Sequence, residues 1–166
     1  MALKSDRNEL QTDISFFMNE TATRGGVVSI STGGSGAAMD QGAALVTYTA
    51  ASGKPPIGIL LNDMVNLDLT RQHINQHKDE VQLGGKVTIL RKGYVVTNKI
   101  ESVTVAPGDV AYAAATDTGS AGNITNVCPP SVVASGNLAI GRFLSRIDED
   151  GYAKVEVNLP NHGTNN

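Results

Sequence analysis

Residues 86–100 read KVTILRKGYVVTNKI. From Lys86 the chain alternates, so that Val87, Ile89 and Arg91 fall on one face, the period of a half-buried strand. Lys92-Gly93 then interrupts the alternation, and YVVTNKI resumes a β-rich run. A lysine–glycine step between two such runs predicts a tight turn, so the stretch reads as a hairpin.

The same grammar extends in both directions. Downstream, residues 102–114 hold strand, turn and strand around Pro107-Gly108-Asp109. Residues 138–160 form a closing hairpin whose turn is Asp148-Glu149-Asp150-Gly151, since an Asp-Gly step tolerates the positive φ of a tight turn. Upstream, VVSIS (27–31), ALVTYTA (44–50) and IGILLNDMVNLD (57–68) read as further strands, separated by glycine- and proline-rich loops. Regular strand spacing predicts a mainly β sandwich or barrel. The body spans 25–160 and the polar residues 161–166 form a tail.

Residues 1–24 differ in character. They are polar apart from one apolar knot, Ile14-Ser15-Phe16-Phe17-Met18, which holds two of the 3 phenylalanines. This predicts an extended N-terminal arm that docks on its own body or on a neighbour through Ile14, Phe16, Phe17 and Met18.

One segment breaks the β pattern. DLTRQHINQHKDEVQLGG (68–85) predicts a single short helix, capped by Asp68 or Thr70 and stopped by Gly84. His73 and His77 then share a face, the spacing of a zinc-protease helix. The position after His73 is Ile74, where the general-base Glu would have to stand. No third ligand is evident. The face carrying Arg71, His73, Gln76 and His77 therefore reads as a polar contact surface, with no metal or other cofactor expected.

Composition excludes further classes. The net charge is −3 and the 13 lysines and arginines are scattered, which does not suit nucleic acid. Cys128 is the single cysteine, so no intrachain disulfide framework exists, and it reads as a small packed thiol. GGSGAA (33–38) lacks the Gly-Lys-Ser/Thr of a phosphate loop. Neither a signal peptide nor a membrane span is expected, and no small-molecule substrate site is legible.

From Gly58 to Pro160 an ordered set of motifs stands out. Gly84-Gly85-Lys86-Val87 leads to Lys92-Gly93-Tyr94. Pro107-Gly108-Asp109 precedes Tyr112 by three residues. Ile140-Gly141-Arg142-Phe143 leads to Asp150-Gly151-Tyr152 and a last Val155-x-Val157 strand. In this order the chain resembles the capsid decoration (cement) proteins of tailed bacteriophages. The resemblance implies a small β-barrel or β-tulip-like domain, a homotrimer, and a place on the outer capsid surface of a virion assembled in a bacterial cytoplasm. It implies a structural protein and not an enzyme, one that bridges major capsid proteins and stabilises the expanded shell. Arg91 and Arg142 are then candidates to pair with acids of a partner. Two other classes compete: a β-rich module displaying loops 31–43 and 117–126 to a glycan or host surface, and a metallohydrolase built on His73 and His77. The scarcity of aromatics, 4% with no Trp, weighs against the first. Ile74 weighs against the second.

Overall fold

A computed structural model describes residues 2–32, 44–48, 55–63, 80–101, 104–114, 119–128 and 139–159. Eleven strands occupy them: β1 (Asn8–Met18), β2 (Ala22–Thr23), β3 (Val27–Thr32), β4 (Leu45–Tyr48), β5 (Pro56–Asp63), β6 (Glu80–Val81), β7 (Lys86–Thr97), β8 (Val110–Ala113), β9 (Ile124–Thr125), β10 (Ala139–Phe143) and β11 (Ala153–Asn158). The described residues are mainly β and contain no helix.

Strand β7 is the axis of the molecule. On one side β1 runs antiparallel to it from Asn8 opposite Tyr94 to Phe17 opposite Lys86. On the other side β5 pairs with residues 87–90 and β11 with residues 92–97. Beyond β5, the order continues through β3 and β4 back to β1, which β4 joins in parallel at Phe17 and Met18. Strands β1, β4, β3, β5 and the first half of β7 thus form a closed circuit of pairings. Beyond β11 the sheet runs out through β10, β8 and β9.

Two apolar cores follow from this topology. Met18, Val28, Val46, Leu60, Val87 and Ile89 bring every strand of the circuit into one cluster. The other cluster receives Val27, Ile59, Leu61 and Leu90 from the opposite faces of β3, β5 and β7. It packs them against Val95 of the far half of β7 and Ile140, Phe143, Val155 and Val157 of β10 and β11, in the same nine-stranded sheet. IGILL is therefore continuously apolar because β5 is covered on both faces; Ile59, Leu60 and Leu61 are all 0% exposed. Tyr48 ties β4 to the preceding segment. Its N–H donates to Glu20 Oε1 at 2.7 Å and its hydroxyl donates to the Thr23 carbonyl. Burial, and then the Glu20 carboxylate, raise the tyrosine pKa well above its ordinary value.

Three expectations change. Lys92-Gly93 is no hairpin turn: β7 passes straight through it. The glycine has φ 140, and a Cβ there would lie 1.9 Å from the Asn8 carbonyl oxygen. Both Leu90 and Val95 face the same core, so the alternation loses its phase between them, as in a β-bulge. A bulge and a hairpin share the same local signal, a glycine at a break in period.

The expected helix lies mostly on residues 64–79, outside the described ones. Its last part is β-structure, since Glu80 and Val81 pair with Thr23 and Ala22. Val81 is buried in the circuit's core, which the strand pairing makes possible. Gly84, read as a helix stop, has φ 76 in the turn between β6 and β7.

The third change concerns the arm. Residues 8–18 are β1, hydrogen-bonded along β7, and Ala2 and Leu3 are buried. Of the two docks expected for the arm, its own body or a neighbour, the structure shows the body, and as a sheet strand: β1 needs few apolar side chains because backbone pairing holds it. The predicted turns at 107–109 and 148–151 are present: Gly108 has φ 97 and Gly151 has φ 81.

Candidate assembly surface

The apolar knot of β1 divides between inside and outside. The Asp13 Oδ1 atom accepts the Ser15 N–H at 2.8 Å and the Ser15 hydroxyl at 2.6 Å. This local turn accompanies a register shift against β7 between Asp13 and Phe16. Ile14 is left 44% exposed, while Met18 is fully buried and Phe16 packs on the circuit's core. Phe17 is half-buried, with Lys86 Nζ 5.9 Å from its ring centre. Of the four knot residues, Ile14 is the most exposed, and Met18 serves the fold.

The two candidate arginines lie on different strands and are already engaged. Arg91 on β7 places Nη1 3.9 Å from Asp13 Oδ2, and its Nε is shielded from solvent without an acceptor. Arg142 on β10 is exposed and its Nη1 donates to the Gly108 carbonyl at 3.0 Å. Asp109 in the same turn accepts the Ala106 N–H and the Asn126 amide. Those two bonds, the backbone one first, hold its carboxyl below the usual carboxylate range. Arg142 also borders an open groove of about 330 Å³ with Val110, Gly141, Glu156 and Asn158.

Arg71, His73, Gln76 and His77 lie outside the described residues. Among the described residues, no group of three or more His, Cys, Asp or Glu is placed to hold a metal. Cys128 is exposed, against the expectation of a packed thiol. It lies beside Tyr112, whose pKa is raised by burial first and then by Cys128.

Sequence reasoning missed several surface apolar residues. Leu10 is 67% exposed, Leu83 66%, Val127 57% and Leu144 44%. Each sits at a bulge, a turn or a strand end, where period-2 patterning does not say which way a side chain faces. Together with Ile14 they give the chain more uncovered aliphatic surface than its low aromatic content suggests.

Comparison with known proteins agrees with the resemblance read from the motifs. The family model described as "Structural cement protein (E217 gp24/Pam3 gp6)" matches residues 8–158. A search of curated proteins finds no match. The matched span begins at the first residue of β1 and ends at the last of β11. The whole described sheet, with the strand once read as an arm, therefore falls within the family's domain.

Proposed function

Since this chain belongs to the phage structural cement proteins, we propose that it binds the outer face of the capsid, bridges neighbouring major capsid proteins and stabilises the expanded shell. Its role is structural and its place is the virion. The observation that carries the reading is the coincidence of the matched span with the sheet from β1 to β11. The closed circuit of five strands is read as the small barrel of a tulip-like domain.

The mechanism is mass action combined with multivalency. A ligand that binds the expanded shell and not its disrupted state stabilises the shell by linkage. A homotrimer links three modest contacts, so each later contact forms at high effective concentration. Exposed aliphatic side chains such as Ile14 and Leu10 supply apolar contact area at little desolvation cost. Arg142 adds a hydrogen-bonding rim, and the segment bearing Arg71, His73, Gln76 and His77 is assigned to the same contact role.

The test compares expanded shells with and without the purified protein in one heating experiment. Decorated shells should disrupt several degrees higher, and the shift should saturate with added protein. An unchanged disruption temperature at saturating protein rejects the reading. The native mass of the free protein tests the trimer separately.

A further inference from the structure

Residues 2–6 lie along the far end of β7, ahead of β1. Leu3 sits opposite Thr97 in an isolated antiparallel bridge. The Lys4 N–H donates to the Val96 carbonyl at 2.9 Å, and the Asn98 N–H donates to the Ala2 carbonyl at 3.2 Å. Leu3 is 2% exposed and belongs to the larger core. On the outside, Lys4 Nζ is 2.8 Å from Asp148 Oδ2 and 4.2 Å from the centre of the Tyr152 ring. Asp6 Oδ2 is 3.3 Å from Lys154 Nζ, which itself stands 3.9 Å from the centre of the Tyr94 ring.

The connection to β1 is loose by comparison. The chain takes five steps from Leu3 to Asn8 while β7 takes three from Thr97 to Tyr94. Two residues are therefore surplus, and Ser5, Asp6 and Arg7 are exposed. The segment is a separate stretch, bridged to β7 at Leu3, with its own seat and a slack link.

We propose that this seat is a docking site for the N-terminal segment of a second copy of the chain, so that neighbouring copies exchange residues 2–6. The seat reads this segment residue by residue: an apolar slot for Leu3, an acid for Lys4, a base for Asp6 and two backbone bonds. A sister chain offers the same groups, so exchange keeps every contact and changes only the course of the link. Arg7, the exposed residue between the Asp6 fastening and β1, supplies the hinge, and the five exchanged residues reach about 17 Å when extended. The outer fastenings are solvent-exposed ion pairs, which salt weakens and which hold little individually. The seat can therefore release its occupant while β1 stays paired. Exchange would tie copies into a closed ring, in which each link strengthens the next through effective concentration.

The proposal builds on the assembly reading above, but its test needs no capsid. A zero-length carbodiimide can join Lys4 to Asp148 across their 2.8 Å ion pair. Two full-length chains with different affinity tags are co-expressed, one carrying Lys4→Gln and the other Asp148→Asn. Each lacks one partner, so Lys4 can couple to Asp148 only between chains. Exchange predicts a coupled product of two chains that yields the Lys4–Asp148 peptide by mass spectrometry. Absence of that peptide, while the unaltered protein yields it within single chains, overturns the exchange. That second result would leave the shell-heating test standing, so the two readings fail independently.

Discussion

Residues 86–90 of β7 run between β5 and β1, and two cores take up their side chains alternately: Val87 and Ile89 on one face, Leu90 on the other. Residues 93–97 of the same strand run between β11 on one side and the start of β1 with the N-terminal segment on the other. Val95 and Thr97 face the larger core and are 0% exposed, while Tyr94 and Val96 are half-buried on the outer face. The alternation is equally regular in both halves. The difference is how many faces are covered, and it arises because β5 leaves β7 where β11 joins it. One strand thus serves a closed circuit at one end and an open sheet at the other, and the crossing occurs at Arg91–Gly93.

The strongest test of this comparison is to block the crossing. Gly93→Val places a side chain where a Cβ would stand 1.9 Å from the Asn8 carbonyl oxygen, at φ 140. Neither backbone can yield without breaking the pairing of β1 with β7. The expected loss is about 4 kcal/mol or more, measured by urea unfolding. A loss under about 1 kcal/mol would mean that the bulge does not depend on the close approach.

The sequence read correctly where local chemistry and tertiary context agree. The turns at Gly108 and Gly151, and the strand β8 after the first, follow from proline, aspartate and glycine placed beside apolar alternations, whereas residues 104–106, expected as a strand before Gly108, are not one. It misread positions where one signal serves two structures. Gly93 marks a bulge, where a hairpin turn was expected, and Gly84 a strand-to-strand turn, where a helix stop was expected; both have a positive φ. The polar residues 8–13 form a long strand because β7 supplies their hydrogen-bond partners, a fact that no local pattern contains. Of the candidate surface, Ile14 and Arg142 were legible as exposed positions. Leu10, Leu83 and Leu144 were not, because bulges and strand ends shift side-chain phase.

A second comparison separates the halves by packing. Leu60, opposite Ile89, is fully buried in the circuit. Leu60→Ala removes buried methyls from a space closed on all sides by strands, and the expected loss is about 3 kcal/mol. Tyr94→Ala, in the half with one open face, removes a half-buried ring and its contact with Lys154, at an expected cost of about 1 kcal/mol. Calorimetric unfolding of both variants measures the contrast. Equal losses would erase the distinction between a doubly and a singly covered strand.

The smallest expected effect lies on that outer face and is visible through pH. The Lys4 hydrogen bond first, and the Tyr152 N–H next, hold the Asp148 carboxyl below its ordinary value of 3.8. The same bond raises the Lys4 amine above 10.5. An acid whose pKa is depressed on folding stabilises the fold fully above its unfolded pKa. That contribution is lost as pH falls through the folded value. The pair therefore contributes its full share between 3.8 and 10.5 and loses it below and above that window. Asp148→Asn removes the charge, so the stability gap between the native protein and this variant should be small near neutrality. It should close as the pH drops below 3.8, and it should shrink with added salt because both groups face solvent. The Leu60→Ala loss has no titrating group behind it and should hold across the same range. A gap for Asp148→Asn that persists unchanged in acid would show that the amide disturbs the 148–151 turn itself, where Asp148 Oδ1 also accepts the Asp150 and Tyr152 N–H groups.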